Sequence, residues 1–148
     1  MANSTQYAKT IAASPSKIST TELHGRVRIA YADFTAAGAQ ETINMFKLPD
    51  GARIIGGRVN HAALGSSTTV SVGHAVYDNA AGTTVAADVD EYKAAASSAS
   101  ATGSNIAATT ALGENSLVDA PDGLVITATT AGANATGLIT VQMTYVLD

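Results

Sequence analysis

TINMFKLPDGARIIGGRVNHAALGSSTTVSVGHAV, residues 42–76, decides the fold. Thr42 to Leu48 reads as a strand that stops at Pro49-Asp50-Gly51, a turn in which Pro presets φ and Gly accepts φ > 0. A further strand runs from Ala52 to Leu64, and Gly56-Gly57 inside it predicts a bulge or a sharp bend. Gly65-Ser66-Ser67 then leads to Val70, Val72, His74 and Val76, which share one face of the next strand. The spacing predicts that these last two strands form a hairpin.

The same periodicity extends outward on both sides. Upstream, Val27, Ile29 and Tyr31 alternate with Arg26, Arg28 and Ala30. Residues 1–25, rich in Ser, Thr and Ala and carrying Pro15, show no sustained period and are expected to form an extended arm. Downstream, Asp78 to Gly82 is a turn, after which Asp88 and Glu91 fit an N-cap and third-position pair ahead of YKAAASSA, so a short helix is expected there. Strands return at Leu124–Thr130 and in the final run, where Ile139, Val141, Met143, Tyr145 and Leu147 alternate with their neighbours. About eight strands at short spacing predict an all-β chain. Its expected form is a single jelly-roll-like β-sandwich over 26–148, with one short helical insertion and the N-terminal arm over 1–25.

Composition narrows the function. Apolar residues make up 46% of the chain but aromatics only 5%, with no Trp, so the core is built from small side chains. Such a core buries less area per residue, at roughly 25 cal/mol per Å², and an oligomer interface is expected to supplement it. A net charge of −4 runs against nucleic-acid binding. The charge is uneven, because residues 1–28 hold Lys9, Lys17, Arg26 and Arg28 against Glu22 alone. No Cys means no disulfide, thiolate metal site or thiol nucleophile. Residues 1–17 show no apolar stretch of the signal-peptide kind, and no segment approaches the roughly 20 apolar residues of a membrane span, so no membrane partner is expected.

A search for chemistry finds no nucleophile elbow, HExxH or Walker loop; Gly51 and Gly56 have Walker spacing without the Lys-Ser/Thr pair. His61 and His74 could meet on one face if their strands formed a hairpin, with Asp33 or Asp78 completing a site. Two His without a fixed carboxylate are more simply side chains hydrogen-bonded to backbone carbonyls. Asp88, Asp90 and Glu91 lack the loop Gly and later Glu of a calcium site and read instead as a helix start. No catalytic residue, metal ligand or cofactor is expected. The arm offers Tyr7, Ile11, Ile18 and Leu23 as apolar anchors, and Lys9 and Lys17 as basic contacts, for a partner surface.

Phe46 to Asp78, with its KLP turn, GARI strand and ALGSSTTVSVG segment, resembles a pattern in structural proteins of tailed bacteriophages. The resemblance continues through GRVRIAYADF from Gly25, EYKAAASSAS from Glu91 and the C-terminal TATTAGANATGLITVQMTYVLD. It implies a capsid decoration or cement protein, often trimeric, whose partners are itself and the major capsid protein. The implied location is the virion, after synthesis in the host cytoplasm. A fibre or spike component and a carbohydrate-binding β-sandwich are the competing readings. A lectin usually stacks sugar on exposed aromatics, and five Tyr with two Phe, mostly in strand phase, offer little support for one.

Overall fold

Alternation of small branched and polar residues makes long strands, and the longest of them organise the molecule. The structure is a computed structural model and describes residues 26–147. In chain order the strands are β1 (Arg26–Ala39), β2 (Thr42–Leu48), β3 (Arg53–His61), β4 (Thr69–His74) and the short β5 (Tyr77–Asp78) and β6 (Thr84–Val85). After them come β7 (Asp88–Ser97), β8 (Thr102–Ile106), β9 (Leu124–Ala131) and β10 (Ala135–Leu147). Eight form two four-stranded antiparallel sheets, ordered β1-β10-β3-β8 and β2-β9-β4-β7, while β5 and β6 make a small hairpin.

Partners in sequence fall in opposite sheets: β1 and β2, β3 and β4, β7 and β8, β9 and β10. The chain thus crosses between sheets at each of these connections, which is the winding of a jelly roll. The inward faces meet in one core of small and medium aliphatics, among them Leu48, Ile54, Val59, Leu64, Ile106, Ile126, Ile139 and Met143, all fully buried. Each such side chain stabilises the fold by about 1.5–3 kcal/mol relative to exposure. Two similar turns close one end. Pro49-Asp50-Gly51 follows Leu48, Pro121-Asp122-Gly123 precedes Leu124, and Leu48 pairs with Leu124. Both turn glycines have positive φ, 75° and 81°, and the Asp50 carboxylate accepts the Ala120 N–H at 2.9 Å, tying one turn to the other.

Two local expectations are corrected. First, β3 and β4 are not a hairpin. β3 pairs with β10 and β8, whereas β4 pairs with β9 and β7. Residues 62–68 carry the chain across the sandwich, anchored where the Leu64 N–H donates to Ser98 O and Leu64 O accepts the Thr136 N–H, both at 2.9 Å. Second, the stretch from Asp88 is strand β7, not a helix. Its alanines favour helix, but pairing of Thr69 with Ser97, Val70 with Ala96 and Val72 with Lys93 outweighs that weak preference. Among the described residues the helical insertion is instead the 3-10 turn at Thr110–Leu112.

Candidate interaction surface

Strand β1 carries a conflict of phase. Val27, Ile29 and Tyr31 put their apolar side chains on odd positions, whereas Phe34 and Ala36 put theirs on even ones. Pairing with β10 runs without a bulge from Arg26↔Leu147 to Ala37↔Thr136, so only one of these sets can face the core. Phe34 and Ala36 do. Val27, Ile29 and Tyr31 point outward and are 63%, 67% and 60% exposed. The sequence held this signal, since the apolar phase changes between Tyr31 and Phe34 with no glycine or bulge to absorb it.

The register extends the exposed stripe across the sheet. Val27 lies beside Val146, Val146 beside Arg53, and Arg53 beside Leu117. The next row is Ile29, Thr144 and Gly56, with Ile55 pushed out at the bulge, and then come Tyr31, Gln142, Arg58 and Asn105. Beside Ile55 and Gly56 an open cleft of about 350 Å³ reaches Asn105, Ala108 and Glu114. Arg53 donates from Nη1 to Asn115 O at 2.8 Å, while its buried Nε has no partner among the described residues. Arg26 and Arg28, both exposed, add positive charge at the start of β1.

The opposite flank carries an acidic cluster. β1 lies over β2 at one side of the sandwich, and β7 lies beside β8 at the other. Here Asp88, Asp90 and Glu91 sit on β7, where Val89 is 42% exposed; Val76, in the link after β4, is 59% exposed. The turn of β7 over β4 is tight, since a Cβ on Gly73 would collide with the Asp88 carbonyl and stand 2.5 Å from the Val89 carbonyl carbon. Asp88 accepts the Asp90 N–H at 3.0 Å, and that bond holds its carboxyl below the usual range. Hydrogen bonding to Asp88 pushes the Asp90 carboxyl up. Lys93 does not neutralise this cluster. It is buried, and its amine donates to Val70 O and Ala94 O at 3.3 and 3.2 Å.

The two histidines are apart, on opposite sheets. His61 closes β3 and its Nδ1–H donates to Ala62 O at 2.9 Å; His74 closes β4 and donates likewise to Ala75 O at 2.9 Å. The reading as carbonyl-bonded side chains holds for both. His74 also packs edge-on to the Tyr77 ring, with centroids 5.4 Å apart. Asp33 faces outward on β1 beside Thr140, and Asp78 accepts the Thr84 hydroxyl on the small hairpin, so neither completes a site with both histidines. Among the described residues no three His, Cys, Asp or Glu side chains gather to hold an ion. The arm residues Tyr7, Lys9, Ile11, Lys17, Ile18 and Leu23 lie outside the described residues.

No protein family matches the sequence, and neither does any curated protein. Solved structures do match the fold. A chain of the cyanophage Pam1 capsid asymmetric unit aligns with 99% of this chain and 98% of its own length, at a TM-score of 0.66 and 20% identity. A chain of the Ralstonia phage GP4 capsid aligns over 95% and 94%, with a TM-score of 0.63 and 18% identity. In the acid-stable capsid of Helicobacter pylori bacteriophage KHP30 the shares are 84% and 90%, the TM-score 0.58 and the identity 18%. The jelly roll described above is therefore a fold that also occurs, nearly end to end, in chains of phage capsids.

Proposed function

We propose that this protein is a structural component of a bacteriophage particle, and specifically a capsid decoration or cement protein that clamps adjacent major capsid subunits as a homotrimer. The observation that carries this reading is the near-complete overlap, in both directions, with a chain of the Pam1 capsid asymmetric unit. A partial overlap would fit any small jelly roll, whereas equal length leaves no room for an added catalytic or receptor domain in the matched chain. The surface agrees: among the described residues Val27, Ile29 and Tyr31 form an exposed apolar stripe on the outer face of β1, which suits protein contact.

The mechanism follows from multivalency. An oligomer seated where shell subunits meet touches several of them at once, so modest individual contacts add up to a long residence time. The N-terminal arm, through Tyr7, Ile11, Ile18, Leu23, Lys9 and Lys17, would lie along the shell or a neighbouring protomer. Ordering such a segment costs about 1–2 kcal/mol of backbone entropy per residue, which contacts must offset.

The test is reconstitution. Purified protein is added to phage heads lacking it, and bound protein is followed by co-sedimentation and by electron imaging. Saturable binding at symmetry-related sites, with heads that better survive heat or low salt, is the expected result. Heads that bind none of it over a micromolar range would refute the assignment. Removing residues 1–24 should leave strand-like circular dichroism intact while weakening attachment; unchanged affinity would make the arm a passive tail.

A further inference from the structure

We propose that residues 17–23 fold back beside β1 as an added edge strand of the same chain, antiparallel to it, with Leu23 opposite Val27 and Lys17 opposite Asp33. Two observations on β1 call for a partner. Among the described residues β1 pairs with β10 alone, so over residues 26–33 its other edge presents backbone N–H and C=O groups that a further strand can bond. Its outer face also leaves Val27, Ile29 and Tyr31 exposed. Residues 1–25 join the fold at Arg26, the end where that edge begins. The nearest stretch reads Lys17-Ile-Ser-Thr-Thr-Glu-Leu23, whose β-branched side chains suit a strand.

Charge selects the register. With Leu23 opposite Val27, Thr21 falls beside Ile29, Ser19 beside Tyr31 and Lys17 beside Asp33 on the outer face. On the inward phase Glu22 then falls beside Arg28, and Ile18 beside half-buried Ala32 and diagonal to Phe34, which packs on the core. Both charged residues of the segment thus meet the opposite sign, a cross-strand pairing that stabilises a sheet. A slip of one residue either way turns every side chain to the other face and sets Lys17 and Glu22 against uncharged neighbours. The ends fit as well. His24-Gly25-Arg26 make a loop of a common hairpin length, and Pro15, which has no N–H for a ladder, stands just before the segment. So short a connection favours the chain's own segment over a neighbour's, because closing it costs little entropy. A second copy's β1 offers no such match. Arg28 and Asp33 lie on opposite faces, so a two-fold edge-to-edge pair cannot set one against the other. Lys17, Ile18 and Leu23 then serve the chain's own sheet, which leaves Tyr7, Lys9 and Ile11 of the arm for a capsid partner.

The added strand is read on purified protein alone, so its failure leaves the capsid assignment standing and the reverse is also true. The chain has no cysteine, so engineered pairs report proximity without background. Thr21→Cys with Ile29→Cys, or Thr20→Cys with Ala30→Cys, should close a disulfide within one chain. At least one of them should do so tenfold faster than the control Thr21→Cys with Ala30→Cys, whose side chains point to opposite faces. If neither outpaces the control, the proposal falls. Disulfides that link two copies overturn it too, by giving the edge to a neighbour's segment. Hydrogen exchange of the full chain supplies the second readout. Removing residues 1–24 should speed exchange of the free-edge amides within residues 27–33 at least tenfold, and equal rates in the two chains overturn the added strand. Lys17→Asp should speed the same amides roughly two- to fivefold, the range of a cross-strand charge pair, and Lys17→Asp with Asp33→Lys should restore them. Indifference to the first change, or no rescue by the second, overturns the register.

Discussion

Gly73→Ala tests how β7 is held against the sandwich. Val72 and His74 face the core, so the hydrogen of Gly73 that a methyl would replace points outward, into the backbone of β7. The new Cβ would fall on the Asp88 carbonyl, with the Asp88 carbonyl carbon only 2.8 Å away. Backbone cannot swing aside as a lysine tip can, so the cost belongs at the upper end of overpacking, about 3 kcal/mol. Unfolding entropy near 2.1 cal/mol/K per residue gives roughly 0.3 kcal/mol per degree for a chain of 148 residues, hence a Tm fall of about 10 °C. Gly82→Ala is the matched control. Nothing lies within 4 Å of its Cβ, and its φ of +74° alone costs about 1 kcal/mol, or about 3 °C. Thermal unfolding by circular dichroism measures both, and hydrogen exchange should show faster exchange confined to residues 88–93 in the Gly73 variant. If Gly73→Ala lost no more stability than Gly82→Ala, the packing of β7 onto β4 described above would be wrong.

Three further outcomes follow from buried polar groups. Thr127→Val should raise stability by about 1 kcal/mol, because the Thr127 hydroxyl is buried without a partner among the described residues and valine keeps its shape; the urea midpoint should rise at constant slope. Lys93→Met should stabilise the fold near neutral pH. Burial holds the Lys93 amine below its ordinary 10.5, so the unfolded chain binds the extra proton and wild-type stability rises with pH between the lowered value and 10.5; the variant should lack that rise. Tyr92→Phe should abolish an alkaline loss. Burial pushes the Tyr92 hydroxyl far up, so above pH 10 the unfolded chain ionises first and stability falls, a slope that denaturation at stepped pH will find in wild type only.

The strands and turns were legible because their signals are local. Pro49-Asp50-Gly51 stops β2 and the strict alternation after Leu138 makes β10, whatever surrounds them. Which strands pair was not legible. Seven residues separate β3 from β4, a length that fits a hairpin loop or a crossing between sheets equally well. The crossing wins because Val59 and Val72 each complete a different inner face, beside Val141 and Ala128 respectively. The Asp88–Glu91 capping pair misled for a related reason. Helix propensity there is worth a few tenths of a kcal/mol per residue, less than the ladder that an open β4 edge offers. The candidate site was only half visible: charges and apolar residues could be named, but which of them share a face is set by strand pairing.

Strand β1 shows why the exposed stripe is not an accident of a small-residue sequence. A strand needs its larger apolar residues on one face, and moving Val27, Ile29 and Tyr31 to even positions would turn them to the inward phase with no change in composition. The chain instead presents Arg26 and Arg28 on the inward phase, at an end of the sheet where both faces are open, and keeps the large residues outside. Only Tyr31, whose neighbours Ala30 and Ala32 on the inward phase are half-buried, would gain much burial from such a move. A bulge between Tyr31 and Phe34 would have put both halves on the inward phase, and β3 and β2 each tolerate such a shift elsewhere, at Ile55 and Met45. None occurs in β1 before Ala37, so the register itself keeps Val27, Ile29 and Tyr31 on the outer face of the sheet.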